Sequence, residues 1–435
     1  MGAALIRFAL RVGLSLLFAG AMELPAQELE SPRLGVLRRV IAAGETGVLE
    51  RFWRQIAQEG TPLVEPIEGS KDDVLVTYLW RGGAETKNVL VVISPGDLIS
   101  EEGIAGARLE RLAKTDLWFK SRRMKSDARF AYSFAVNDSL VPLAKATPEE
   151  EEARWNALIA DPLNPRPALD AQSSLAELPA APPQPWIVAH PENPAGRLEE
   201  RKLASVRLGN ERIVRVYTPP GYDPKGPPYP LAVFLDGRTY SSDVPTPTIL
   251  DNLLAAGRIA PLVAVFVANP SAESRLAEFA CKPRFGEFLS RELIPWVRGG
   301  WNVTADPART AITGSSLGGL AAACAALASP EIFGNVLSLS GSFYWQIEGD
   351  AEPEGVARRL ATGPKLPLRF YLEAGLMEDR PRPGGASLLT ANRHLRDVLE
   401  AKGYAVDYKE WNGGHSILNW RGSVADGLQA LFDSK

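Results

Sequence analysis

The sequence predicts an α/β domain with a largely parallel sheet, preceded by a smaller antiparallel β-sandwich. Three observations carry this. Short strand-like runs separated by turn signals lie between Val74 and Ala135. A Pro- and Ala-rich stretch, Leu178 to Pro194, then interrupts the pattern. Beyond it, apolar strand-like runs alternate with helical runs, and one such junction holds Gly314-Ser315-Ser316-Leu317-Gly318.

The elements follow in chain order. Arg7 and Arg11 precede the apolar run Val12 to Ala19, and Ala19-Gly20-Ala21 and Leu24-Pro25-Ala26 offer small-residue cleavage sites. A positive start, a short apolar centre and small residues define a secretory signal, so residues 1–26 are expected to be removed and the protein to be periplasmic or secreted. The apolar run is short for a membrane span, and no later segment reads as one. Leu37, Val40, Ile41, Val48, Leu49, Phe52, Trp53 and Ile56 recur at helical spacing and predict one or two amphipathic helices. Val74–Trp80, Val89–Ile93, Leu117–Lys120 and Arg129–Ala135 read as strands of the sandwich, which is bounded at 34–165. Asp161-Pro-Leu-Asn-Pro165 marks a turn, and 166–198 reads as an extended linker.

The second domain is bounded at 199–435. Val214–Thr218, Leu231–Leu235, Leu262–Val267, Ala311–Thr313, Asn335–Leu339, Leu368–Leu372 and Ala405–Trp411 are its expected strands. Helical runs such as Phe285–Val297 and Leu388–Ala401 separate them, which argues for a parallel sheet covered on both faces. The chain of 435 residues is long enough for both domains. A formal net charge of −4 and the lack of a long basic run give no basis for nucleic-acid binding. The four glutamates 149–152 read as a solvated face or a helix start. Cys281 and Cys324 lack metal-site spacing, and no cofactor is expected. An exported chain can pair them, but buried free thiols are the favoured reading, with Cys324 packed beneath the serine motif.

The serine motif carries the chemistry. A short strand precedes Gly314, and the small-residue run Leu320–Ala328 follows as a helix. That context is what the nucleophile elbow of an α/β-hydrolase requires, with Ser316 Oγ presented at the head of a helix. The bland alternative is a Gly/Ser loop joining a strand to a core helix. A serine nucleophile needs a base, and the chain has three histidines. His190 lies in the linker and His394 within a helical run. His415, in Asn412-Gly413-Gly414-His415, follows the last strand, where the base of this fold belongs. The acid should follow Leu368–Leu372. Glu373, Glu378 and Asp379 are available there, with Glu378 the first choice and Asp379 the second. The oxyanion donors are assigned to the backbone amides of Leu317 and Arg238, with Gly237 permitting the turn after Leu231–Leu235.

The chain resembles the enterochelin (enterobactin) esterase family of bacterial siderophore hydrolases. The resemblance rests on Pro230–Gly237, Arg309–Leu320, Phe333–Ser342 with Trp345, Leu372–Gly375 and Gly413–Gly422. Asp161–Asn164 is similar to the end of that family's N-terminal immunoglobulin-like domain. The resemblance implies a serine esterase that opens the ester bonds of a catecholate siderophore, a small-molecule substrate that brings its own iron. It also implies that Arg275 and Glu278 form an R-x-x-E element near the substrate cleft. Arg275 would face an anionic catecholate, and Trp345 and Tyr240 would supply aromatic walls. A structural ion pair is the other reading of Arg275, and core packing that of Trp345. Two further functions stay open at this point. One is an exported carbohydrate esterase of the feruloyl or acetyl-xylan type with a glycan-binding N-terminal module. The other is a non-catalytic binding protein on the same fold.

Overall fold

Alternation of buried residues builds the first part of the chain. A computed structural model describes residues 30–380 and 385–433, so the expected signal segment lies outside the described residues. Strands β1 (Leu63–Pro66), β2 (Asp73–Arg81), β3 (Val89–Val92), β4 (Glu110–Arg111), β5 (Leu117–Lys125), β6 (Arg129–Val136) and β7 (Ser174–Glu177) form two antiparallel sheets. Their orders are β1-β2-β5-β4 and β3-β6-β7. Val76 and Tyr78 of β2 meet Val89, Val91, Phe130, Tyr132 and Phe134 from the other sheet. Leu79, on the opposite face of β2, meets Leu34, Leu37, Phe52, Trp53 and Ile56 of the helices Pro32–Ala42 and Val48–Glu59. The two-residue period of the strand thus serves two cores, one between the sheets and one beneath the helices. The 149–152 glutamates begin a helix, Pro148–Asn156, whose Thr147 and Glu150 cap each other.

The linker expected at 166–198 is in part a structural element. Its β7 is hydrogen-bonded to β6, and Leu178 is buried in the sandwich core. Further along, the Asn252 amide donates to the carbonyls of Trp186 and Val188, both at 2.8 Å. The prolines suggested a free spacer, but an extended backbone is also what an edge strand needs.

Eight strands make the second sheet: β8 (Arg197–Ser205), β9 (Asn210–Thr218), β10 (Leu231–Leu235), β11 (Val263–Val267), β12 (Thr310–Ser315), β13 (Asn335–Leu339), β14 (Arg369–Gly375) and β15 (Ala405–Trp411). Their order is β15-β14-β13-β12-β10-β11-β9-β8. The six from β10 to β15 run parallel, and β9 and β8 close one edge antiparallel. Every residue of β10, β11, β12 and β13 is buried, because helices cover both faces. All loops that follow the parallel strands therefore emerge on one edge, where such folds place their chemistry.

Cys281 and Cys324 form a disulfide, which overturns the free-thiol expectation. Cys281 sits in the turn after the helix Ala272–Phe279, which packs on the helix Leu317–Ala328 that carries Cys324. The Cα atoms are 5.5 Å apart, within ordinary disulfide reach. Among the described residues, no helix is long and apolar enough to cross a membrane.

Candidate active site

Ser316 sits between β12 and the helix Leu317–Ala328 with φ 58° and ψ −125°. L-residues avoid this conformation, and it projects a side chain from a sharp strand-to-helix turn. Its backbone is fixed on both sides. The Ser316 N–H donates to Leu339 O at 3.0 Å, and the Ser342 N–H donates to Ser316 O at 2.9 Å. Among the described residues, Ser342 Oγ at 3.5 Å is the only side-chain partner of Ser316 Oγ. Gly314 is required by contact, since a Cβ there would lie 2.4 Å from the Gly318 carbonyl carbon. The second glycine required by packing is Gly319, where a Cβ would lie 2.3 Å from Ser338 Oγ and 3.0 Å from Gly341 Cα. Gly318, the last residue of the G-x-S-x-G motif, is less confined: its nearest contact would be the Asp236 carboxylate at 3.1 Å.

His415 follows β15, and Glu378 follows β14. His415 Nδ1 lies 2.8 Å from Glu378 Oε1, and the Gly375 N–H donates to Glu378 Oε2 at 2.9 Å. Glu378 is buried, whereas His415 keeps a third of its side chain in solvent. A buried carboxylate bonded to Nδ1 leaves Nε2 as the free face of the ring and favours the tautomer whose Nε2 accepts a proton. The ring's other support is Trp420, edge to face at 4.9 Å. The Trp420 indole N–H donates in turn to Ser340 Oγ at 3.2 Å, just after β13. Asp379 is exposed and makes no bond to His415, so Glu378 is the partner and Asp379 is not. The other two histidines lie elsewhere: His394 pairs with Glu354 at 3.0 Å, and His190 with Glu192 at 3.3 Å.

Leu317 and Arg238 occupy the first turns of the helices that follow β12 and β10. Amides there have no intrahelical acceptor, and among the described residues neither donates to another backbone carbonyl. Gly237 lets the Arg238 loop close, because a Cβ at 237 would fall 2.3 Å from the Phe266 carbonyl carbon. Ser316, His415, Glu378 and the Leu317 and Arg238 amides thus lie along one edge of the sheet, after β12, β15, β14 and β10.

Comparison with known proteins bears on what this edge does. Residues 205–431 match the family model described as "Putative esterase", and residues 75–187 match "Enterochelin esterase, N-terminal". The iron(III) enterobactin esterase of Dickeya dadantii is 32% identical over 429 residues, covering 92% of this chain and 96% of that protein. The chain belongs to the enterochelin esterase family. The Escherichia coli K12 iron(III) enterobactin esterase is 31% identical, covering 82% of this chain and 91% of its own. The crystal structure of the Salmonella typhimurium ferric enterobactin esterase superimposes with a TM-score of 0.70 at 29% identity, covering 88% and 98% of the two chains. This family member is a carboxylic ester hydrolase with an α/β-hydrolase catalytic domain.

Of the implied substrate contacts, Tyr240 is corrected, and Arg275 makes the structural ion pair that was its other reading. In this esterase, Arg275 binds Asp236 with both arms, Nε to Oδ1 at 2.6 Å and Nη2 to Oδ2 at 2.7 Å, and Nη2 also reaches Ser315 O at 3.5 Å. Asp236 has φ 55° and opens the Gly237-Arg238 turn, so Arg275 braces that loop against β12. Glu278 is taken by Arg212, at 2.8 and 3.1 Å. The two members of the R-x-x-E element therefore hold different strands. Tyr240 is fully buried, with its ring against Phe234, and lines no opening. Trp345 is half-buried in the loop after β13, on the edge that bears Ser316.

Glu373 is a further acid near the pair, and it is buried completely. Its Oε1 accepts from Ser423 Oγ at 2.6 Å. Burial pushes its carboxyl up to about 8 from an ordinary 4.5, Ser423 opposes this, and Asp426 and Glu378 add to it. A raised folded-state value means that the protonated form is the one the fold favours. Its contribution to stability is complete below pH 4.5 and is lost as the pH rises through about 8. Glu373→Gln cannot ionise and should flatten that decline. Melting temperatures of the two proteins across about pH 6 to 9 test this, and parallel curves would refute it.

Proposed function

We propose that this chain is an exported serine esterase that hydrolyses the ester bonds of an enterobactin-like catecholate siderophore, with iron carried by the substrate. The observation that supports the substrate class is the match over both domains to iron(III) enterobactin esterases. The Escherichia coli iron(III) salmochelin esterase, 28% identical over 91% of this chain, points the same way.

In this reading Ser316 Oγ attacks the ester carbonyl while His415 Nε2 takes its proton. Glu378 holds the imidazole and stabilises the imidazolium. The Leu317 and Arg238 amides receive the oxyanion. As the tetrahedral intermediate collapses, the bond from the carbonyl carbon to the substrate's own alkoxy oxygen breaks and His415 gives the proton to that leaving alcohol, while the acyl group stays on Ser316 Oγ. Water, deprotonated by His415, then cleaves the acyl-enzyme and restores Ser316. Export is supported by the Arg7–Ala21 pattern and by the Cys281–Cys324 bond, a linkage that persists in oxidising compartments.

A carbohydrate ester has less behind it. The endo-1,4-beta-xylanase/feruloyl esterase of Xylanibacter ruminicola is 26% identical over 54% of this chain and 31% of its own length. Purified protein incubated with ferric and metal-free enterobactin should release dihydroxybenzoylserine products separable by chromatography. Cleavage of methyl ferulate or acetylated xylan, with both siderophore forms intact, would overturn the reading.

A further inference from the structure

The sandwich meets the catalytic domain at the loops that carry the base and the acid. The turn between β5 and β6, residues 126–128, lies against the start of the His415 loop. The Asn412 Nδ2–H donates to Asp127 Oδ1 at 2.6 Å, and the Arg129 N–H donates to Asn412 O at 3.2 Å. On the other side of His415, Asn419 Nδ2 donates to Arg129 O at 3.3 Å and to Gly414 O at 3.4 Å. Residues flanking the base on both sides are therefore bound to one β-hairpin.

The acid loop is tied to the same body. Met377, next to Glu378, packs its side chain on the sandwich core, and its N–H donates to Gly413 O at 3.1 Å. Arg380, two residues past the acid, reaches Asp97 at 3.1 Å.

Such bracing answers a specific weakness. Gly413 and Gly414 precede His415, and glycine has the most backbone freedom to lose. Gly413 cannot be stiffened by a side chain, since a Cβ there would fall 2.1 Å from the Trp411 ring and 2.6 Å from Asn419 Nδ2. Bonds within the loop, such as Gly413 N–H to Trp411 O at 3.0 Å, supply part of its order, and contacts from outside supply more. The Asp127 carboxylate makes one such contact through a short, charge-assisted bond.

We propose that the β5–β6 turn of the N-terminal domain, through Asp127, is a positioning element for the His415–Glu378 pair. This rests on the catalytic roles proposed for that pair, not on the identity of the siderophore. A displacement of the base of about 1 Å can cost on the order of 100-fold in rate, so partial loosening should cost about tenfold.

The test uses the full chain and two substrates, p-nitrophenyl acetate and ferric enterobactin. Asp127→Ala should lower kcat about tenfold on p-nitrophenyl acetate with KM within about twofold. Asp127→Asn keeps the Oδ1 acceptor and should restore most of the rate. Asn412→Ala cuts the same bond from the other side, and the double variant Asp127→Ala/Asn412→Ala should lose no more than either single one. Wild-type kcat in Asp127→Ala would overturn the proposal, as would additive losses in the double variant. So would a defect confined to KM for ferric enterobactin, which would make the turn a substrate contact. If wild-type protein cleaves p-nitrophenyl acetate but not ferric enterobactin, the siderophore reading fails and the p-nitrophenyl acetate arm still decides this one.

Discussion

Ser316→Ala is expected to lower kcat by about 10⁴-fold or more on any ester the enzyme accepts, and to abolish labelling by a fluorophosphonate. The remaining rate would come from binding and the two oxyanion amides, which the substitution leaves in place. Folding should be little affected, because among the described residues the hydrogen bond of Ser316 Oγ is to Ser342 Oγ alone, at 3.5 Å. That neighbour also supplies the control. Were Ser342 the nucleophile, Ser316→Ala would keep substantial turnover and Ser342→Ala would lose it. Retention of about a tenth of wild-type kcat in Ser316→Ala would remove it from the centre of the mechanism.

Glu378→Gln should be the next most damaging change, at about 10³- to 10⁴-fold in kcat. Gln keeps the size of the side chain but not the charge. It can present an N–H to Nδ1, which stabilises the tautomer with the proton on Nε2, the wrong nitrogen for a base. It also withdraws the charge that supports the imidazolium. Asp379→Asn, one residue on but exposed, should stay within about twofold of wild type. Comparing kcat of the two variants on one substrate is decisive. Equal effects would mean that the 2.8 Å contact between His415 and Glu378 has no part in turnover.

The sequence made some of this legible and hid the rest for physical reasons. The parallel strands stood out because both of their faces are buried, which leaves uninterrupted apolar runs such as Leu231–Leu235. Strand β8 did not, since Arg197–Ser205 is an edge strand whose exposed positions are mostly charged, Arg197, Glu200, Arg201 and Lys202. The serine and histidine could be read from strand order and glycine placement alone. Chain order narrowed the acid to three carboxylates, and geometry separates them. One bonds His415, one is exposed, and one is buried beside Ser423. The partner of Arg275 lies 39 residues away in sequence, beyond the reach of spacing arguments. The disulfide is not legible in the sequence, because nothing local shows that two packed helices bring Cys281 and Cys324 together.

That disulfide has a topological consequence. Ser316 lies inside the loop it closes, with 43 positions separating the two cysteines. Strand β12 and most of the helix behind the nucleophile lie in the same covalent ring. A protease that nicks the backbone anywhere between Cys281 and Cys324 opens the ring without releasing either piece. The two fragments would part on a denaturing gel only after reduction. The segment that bears Ser316 is thus doubly tethered to the rest of the molecule, by its backbone and by a bond between side chains.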